Sequence, residues 1–333
     1  MTVKLAIIGA GIMGSDHAAI FANELAESKV VLICDTDLAK ARALAENCGI
    51  QDTTDDPEQA IARNDVDAVV IASPDFTHAE YCMHCLDQQK PVLCEKPLSP
   101  SSSECLSVLN AEMKTGRQWV QLGFMRRYDQ SYIEMQAALK SGTIGEALMM
   151  HNFHRNVETP STGFTEAMAI TNSAPHEFDI ARHVLETDFT TITAFQAERS
   201  DGNIAPVIMV LETANNQLVT IEINNNAAYG YDVRGELVGA SGSVSLSAPQ
   251  YSQLNIDHQQ LSRYASDWRP RYASAYREQN RAFIEFVQTG KFPELAADCW
   301  DGYCAAIAAE AGVEALRTCS KVNITMIDNP KSE

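Results

Sequence analysis

Hydrophobic and polar positions change rhythm about a third of the way along this chain. From residue 3 to about 125, short apolar, β-branched runs at 3–9, 30–35, 68–73, 91–94 and 119–123 alternate with stretches of helical period at 12–26, 37–48, 57–63, 77–89 and 101–115. Parallel strands need long crossovers, so this alternation predicts an α/β Rossmann-type doubly wound parallel sheet with helices on both faces. Strands so uniformly apolar are expected to be buried on both sides. A helical stretch at 129–140 follows, and then the pattern becomes strand after strand, at 146–153, 190–198, 204–213, 218–224 and 231–239. One helix interrupts at 174–186, and two more, at 272–289 and 298–317, close the chain. This second pattern predicts an α+β domain with a large, mostly antiparallel open sheet. The expected division is therefore 1–123 and 124–333, with no linker rich in Pro, Gly or Ser to separate the two.

The first turn carries chemistry. Gly9-Ala10-Gly11-Ile12-Met13-Gly14 follows the first strand directly and opens the first helix, the context that makes a glycine pattern a dinucleotide fingerprint. Gly9 is expected to allow the tight turn, Gly11 to let backbone approach a pyrophosphate, and Gly14 to let helix and strand pack. The N–H groups of the first helical turn, at Ile12 and Met13, supply donors and the positive dipole end. A plain glycine turn in an unliganded α/β domain is the alternative. Asp35 ends the second strand about 20 residues past the last glycine, where a carboxylate can accept hydrogen bonds from ribose hydroxyls. It can also be read as a turn residue or helix N-cap. Thr36 and Asp37 offer no guanidinium to a 2′-phosphate, so the expected cofactor is NAD and not NADP.

Composition narrows the partners. With 25 Lys and Arg against 44 Asp and Glu, the net charge of −19 disfavours nucleic acid and anionic membrane surfaces. No run approaches the ~20 apolar residues that cross a bilayer, and the N-terminal segment lacks the layout of a signal peptide. Nine cysteines, an odd number, suit reduced thiols and a cytoplasmic location. Cys82-Met83-His84-Cys85 has no second ligand pair at zinc spacing, so it is read as a buried helix face, and no metal is expected.

Open α/β sheets bind ligands beyond the carboxyl ends of their strands. Ser73-Pro74-Asp75-Phe76-Thr77-His78 lies at one such end and can wall a nicotinamide; Glu95-Lys96-Pro97 sets a cation at another. An ammonium there can stabilise the alkoxide that develops as a secondary alcohol is oxidised, the role expected of Lys96. Taken alone, the same lysine is more readily read as a solvated surface residue.

The glycine fingerprint, the Ser-Pro loop and the Glu-Lys-Pro segment together resemble the glucose-fructose oxidoreductase and inositol dehydrogenase (Gfo/Idh/MocA) family. Gly123-Phe124-Met125-Arg126-Arg127-Tyr128-Asp129, His154-Arg155-Asn156, Tyr229-Gly230-Tyr231-Asp232 and Trp300-Asp301-Gly302-Tyr303 extend the resemblance toward its inositol dehydrogenases. The resemblance implies NAD-dependent oxidation of a ring hydroxyl, with Lys96 and His176 catalytic and a homotetrameric assembly. It also implies that Ser73, Pro74, His78, Glu95 and Lys96 border the cofactor. Met125, Arg126, His154, Asn156, Tyr231 and Trp268 are the implied polyol contacts. One position departs from the pattern: Asn172 stands four residues before His176, where the family has aspartate. An amide can orient an imidazole but cannot supply the charge that stabilises its protonated form. Oxidation of an aldose, a sugar lactone or an amino sugar, or a non-enzymatic NAD-binding regulatory role, are the alternative functions.

Overall fold

In the computed structural model, which describes residues 2–159, 163–247 and 253–330, the first apolar runs become the strands of one sheet. The order along the chain is β1 (Val3–Ile8), α1 (Ile12–Asn23), β2 (Ser28–Cys34), α2 (Leu38–Cys48), β3 (Asp52–Thr54), α3 (Pro57–Ala62), β4 (Ala68–Ile71), α4 (His78–Asp87), β5 (Val92–Cys94), α5 (Ser102–Lys114) and β6 (Val120–Leu122). All six strands are parallel, in the order β3-β2-β1-β4-β5-β6. The order reverses beside β1, so the α1 and α4 ends open onto a crevice at the carboxyl edge, where such sheets bind ligands. β3 has no apolar run to announce it. It is an edge strand of three polar residues, held by main-chain pairing to Leu32, Ile33 and Cys34.

The second pattern folds as α6 (Gln130–Lys140), β7 (Ala147–Arg155), α7 (Glu166–Met168), α8 (Pro175–Leu185), β8 (Phe189–Gln196), β9 (Val207–Thr213), β10 (Leu218–Asn224), β11 (Asp232–Gly239) and β12 (Ser243–Ser245). A small hairpin, β13 (Leu254–Ile256) and β14 (Gln259–Leu261), comes before the long helices α9 (Arg269–Thr289) and α10 (Cys299–Thr318), and β15 (Val322–Asn323) ends the series. The large sheet has the order β12-β11-β7-β10-β9-β8-β15. Its pairs are antiparallel except β10 with β7. Strict alternation makes one face apolar: Val219, Ile221 and Ile223 of β10 are buried, as are Val207, Met209 and Leu211 of β9. On this face the later turns of α10 come close at Gly312, where a Cβ would lie 3.0 Å from Ile170 and 3.2 Å from Ile192.

The division into units is not a single cut. The first compact unit runs to Tyr128 and also takes in Ser274–Ala306 and the chain from Asn329; the second comprises Asp129–Ala273 and Ile307–Asp328. A boundary after residue 123, as the change of rhythm suggests, thus assigns 274–306 to the other side. The reason is packing: Phe283, Ile284 and Phe286 of α9 are buried in one core with Leu5, Ile7, Phe21 and Leu93.

Candidate active site

In the first unit, the glycine turn has the geometry its sequence calls for. Gly9 sits at φ +102, a left-handed region that an L side chain rarely enters, and a Cβ there would lie 2.4 Å from the Ala72 carbonyl oxygen. A Cβ on Gly14 would lie 1.9 Å from the Gly9 carbonyl oxygen, so α1 can approach β1 only with glycine at this position. Gly11 is different: nothing lies within 4 Å of its would-be Cβ. The backbone there faces open space at a helix N-terminus with no side-chain cap and no acidic residue in its first turn. Unpaired N–H groups facing an open crevice fit a pyrophosphate. Ile12 and Met13 start this helix, and Ile12 remains 58% exposed although apolar. Asp35 is half-buried, its Oδ2 accepting from Ala10 N at 2.7 Å and its Oδ1 from Asp37 N at 2.8 Å. It thereby ties the glycine turn to the end of β2. The cap of α2 is Asp37, whose side chain accepts from Ala39 N.

Beyond β4, Ser73 Oγ pairs with Thr77 Oγ1 at 2.6 Å, and Pro74 stands exposed before the turn into α4. His78 is buried. Its Nδ1 lies 2.7 Å from the Pro97 carbonyl oxygen and its Nε2 2.9 Å from that of Ser73. The ring therefore joins the Ser-Pro loop to the Glu-Lys-Pro segment through their backbones. Lys96 is half-buried between buried Glu95 and Pro97, and the Lys96–Pro97 peptide bond is cis. Glu95 Oε2 accepts from Lys96 N at 3.2 Å, and Glu95 Oε1 lies 2.8 Å from His17 Nε2. Asn280 Nδ2 in turn lies 3.0 Å from His17 Nδ1. His17 and Asn280 were not marked by sequence reasoning. A lone histidine on the apolar face of α1 was the available signal, and its partner lies 263 residues away.

The turn after β6 separates two adjacent arginines. Arg127 pairs with Asp301 at 2.9 Å, a structural bond, whereas Arg126 and Met125 are 1% and 2% exposed. The CMHC segment divides as well: Cys82 and Cys85 are fully buried on α4, while His84 lies near Glu58 and Glu80 on the outer side. Burial and the adjacent Asp35 carboxylate push the Cys34 thiol up to about 12.

In the second unit, polar side chains gather at one end of the large sheet. His154 on β7 is buried, with Nε2 3.2 Å from Asn156 Oδ1 and Nδ1 3.4 Å from Glu177 Oε1. The Tyr231 ring meets it edge-on at 5.7 Å, and Tyr272 meets Tyr231 at 6.5 Å. Asn156 Nδ2 donates to Asn225 Oδ1 at 2.9 Å, and Ser173 Oγ donates to the same oxygen at 3.2 Å. Trp268 is half-buried, three residues beyond Ala265, whose carbonyl accepts from Tyr231 N at 2.8 Å. Asn172 lies in a π-helical turn, Ala169–Ser173, closed by Ala174 N donating to Ala169 O. His176 follows in the first turn of α8, 7% exposed, next to fully buried Glu177. A π turn inserted before a helix often marks a functional position. Glu177, Asn225 and Ser173 were not anticipated, because their meeting depends on β7, β10 and α8 converging.

Residues 3–124 match a family described as an oxidoreductase family with an NAD-binding Rossmann fold, and residues 132–245 match the GFO/IDH/MocA C-terminal domain. The chain is 41% identical over 335 residues to inositol 2-dehydrogenase 2 of Saccharopolyspora erythraea, covering 99% of this chain and 98% of the relative. It is 36% identical over 335 residues to the inositol 2-dehydrogenase of Klebsiella pneumoniae, with the same coverage. Among solved structures, the myo-inositol dehydrogenase of Lactobacillus casei in complex with NAD(H) and myo-inositol is similar at a TM-score of 0.93 and 28% identity, over 99% of both chains. Two family domains in sequence order, and identity sustained over almost the full length of the relatives, place this protein in the GFO/IDH/MocA oxidoreductase family.

Proposed function

We propose that this protein is an NAD-dependent dehydrogenase that oxidises one secondary alcohol of inositol, or of a closely related cyclic polyol, to a ketone. The observation that carries the proposal is an intact dinucleotide turn, open in front of Gly11, on a chain similar over 99% of its length to a protein crystallised with NAD(H) and myo-inositol.

Oxidation removes the hydroxyl proton and the carbon-bound hydrogen with its electron pair. NAD⁺, when bound, accepts that hydrogen and electron pair. The chain's task is to hold the alcohol and manage the proton. Lys96 presents its ammonium to the substrate oxygen and stabilises the developing alkoxide. His176 accepts the hydroxyl proton during oxidation and returns it during reduction. Asn172 orients the His176 ring through its amide oxygen without supplying charge. Gly9, Gly11, Ile12, Met13, Gly14 and Asp35 receive the dinucleotide, and the loop at Ser73 and Pro74 borders it together with Glu95 and Lys96. His78 serves that border through the two backbone carbonyls it joins. Met125, Arg126, His154, Asn156, Tyr231 and Trp268 bind the polyol, polar groups taking ring hydroxyls and aromatic surface covering a ring face.

We also infer a homotetramer located in the cytoplasm. The large sheet's other face leaves Phe195 55%, Ile208 45% and Leu218 38% exposed, a surface suited to a second copy. The nine free cysteines suit a reducing compartment. The decisive assay follows NADH absorbance with NAD⁺ and myo-inositol, scyllo-inositol or glucose. Reduction with an inositol supports the proposal, and none with any polyol overturns it. Lys96→Ala should abolish turnover and leave NAD⁺ binding nearly intact.

A further inference from the structure

Three side chains inside the first unit form a polar chain, of which the mechanism above uses only Glu95. Asn280 on α9, His17 on α1 and Glu95 after β5 are 0%, 0% and 4% exposed. Asn280 Nδ2 donates to His17 Nδ1 at 3.0 Å, which leaves the ring proton on Nε2, donated to Glu95 Oε1 at 2.8 Å. The other carboxylate oxygen, Oε2, accepts the Lys96 backbone N–H at 3.2 Å. The ring of His17 is walled by Tyr276, edge-on at 5.9 Å, and by Phe21, stacked at 6.3 Å. Gly123 lies close against the Glu95 carboxylate, since a Cβ there would be 2.9 Å from its Cδ and Oε2.

Such a chain is a poor way to gain stability. Removing polar groups from water costs about what their mutual bonds return, and apolar side chains of similar volume are often as stabilising or more so. What the chain gives is a fixed geometry, since both ring nitrogens of His17 and both carboxylate oxygens of Glu95 are paired. Its end point here is the backbone of one residue, Lys96. The following residue is held from the opposite side, where His78 Nδ1 meets the Pro97 carbonyl oxygen at 2.7 Å.

We propose that His17, clamped between Asn280 and Glu95, is a positioning residue that fixes the Lys96 backbone for the chemical step. The inference rests on the reading of Lys96 as the group that meets the substrate oxygen. His17 touches neither substrate nor cofactor; it acts through Glu95. A reacting group displaced by about 1 Å loses roughly a hundredfold in rate, so the clamp should be visible in kcat.

The test compares full-length wild type, His17→Phe, His17→Gln, Glu95→Gln and the His17→Phe/Glu95→Gln double variant with NAD⁺ and myo-inositol. His17→Phe keeps a ring among Tyr276 and Phe21 but loses both bonds. Its kcat should fall by roughly 10- to 100-fold, while the NAD⁺ dissociation constant, read by fluorescence titration, moves by no more than about twofold. His17→Gln retains an N–H for Glu95 Oε1 and should recover most of the lost rate. The double variant should be no slower than Glu95→Gln alone, because both changes break the same chain. If His17→Phe does not fold, Asn280→Ala cuts the far end of the chain and is judged by the same readouts. A wild-type kcat in the variant, an equal loss of kcat and NAD⁺ affinity, or additive losses in the double variant would overturn the proposal. Lys96→Ala, assayed in parallel, separates the two readings. Full turnover in Lys96→Ala removes the role of Lys96 and the clamp with it. An inactive Lys96→Ala beside a fully active His17→Phe removes the clamp alone.

Discussion

Gly14 and Gly11 sit in one turn and should fail differently when given a methyl group. At Gly14 the new Cβ falls 1.9 Å from a backbone oxygen that cannot yield, so Gly14→Ala should cost ~1–3 kcal/mol or more by overpacking and lower the melting temperature with or without cofactor. At Gly11 the space is open, so Gly11→Ala should keep its stability to within ~0.5 kcal/mol yet lose about tenfold or more in NAD⁺ affinity. Thermal melts and fluorescence titration tell them apart, and a Gly11→Ala variant with undiminished affinity would remove the pyrophosphate from this turn. Asn172→Asp adds a carboxylate four residues before His176 and should move the acidic limb of the oxidation profile to higher pH, because a nearby negative charge favours the imidazolium and the base must be neutral to accept the proton. Unchanged rate and pH profile would end the orienting role of Asn172. Thiols give a third measurement. Burial and Asp35 push Cys34 up to about 12, and burial raises Cys85 and Cys94 well above the usual thiol range. At pH 8 these thiols stay protonated, and a disulfide reagent should label exposed Cys319 first, with the buried set reacting only on unfolding. The sign of the linkage is fixed: the folded state holds the Cys34 proton more tightly, so stability from this group is complete below pH 9 and lost as pH rises toward about 12. Much of the candidate site could be marked at this scale, because the glycines, Asp35 and Lys96 stand directly after apolar runs, although Lys96 needed the Glu-Lys-Pro context to be singled out. His17, Glu177 and Asn225 could not, since an isolated polar residue on an apolar face looks the same whether it is paired or merely tolerated.

Among the elements, the strands that the sequence made legible are those that bury an apolar run. β1, β2, β4, β5 and β6 were expected from such runs, whereas β3 and the short strands β12 to β15 are polar or largely exposed and carry no apolar run to announce them. Periodicity also shows which face of a helix is apolar without showing which sheet covers it. That is why α9 was expected with the second domain, although Phe283 and Phe286 are fully buried with residues of β1 and α1. The consequence can be measured. Phe283→Ala should destabilise the dinucleotide-binding unit by roughly 3–5 kcal/mol, and it should do so in the segment that a cut after residue 123 removes. A fragment ending there exposes the surface that Phe283, Ile284 and Phe286 cover, and it should show a broad melt and dye-binding apolar surface. A fragment with a sharp cooperative melt would mean that α9 is an accessory to that core.

For the molecule as a whole, charge and the open sheet face act in opposite directions. A net charge of −19 on each copy makes association repulsive at long range. The outer face of the large sheet favours it: Phe195 on β8 and Ile208 on β9 are 55% and 45% exposed and directly paired across the two strands. Cross-strand apolar pairs left this open lose free energy to water unless another surface covers them. The repulsion spreads over a whole surface and is screened within about 8 Å at physiological salt, while the apolar gain is local and largely independent of salt. Light scattering in ~0.15 M salt should therefore give a multiple of the mass of the chain, four times it for the proposed homotetramer. At ~0.01 M salt, where the screening length grows to about 30 Å, the mass should fall as repulsion between copies reaches further. Ile208→Lys places a charge in the middle of that face and should yield a smaller species at both salt concentrations, with NAD⁺ affinity preserved because Ile208 lies in the other unit from the glycine turn. Equal masses for variant and wild type would show that copies of the chain meet elsewhere.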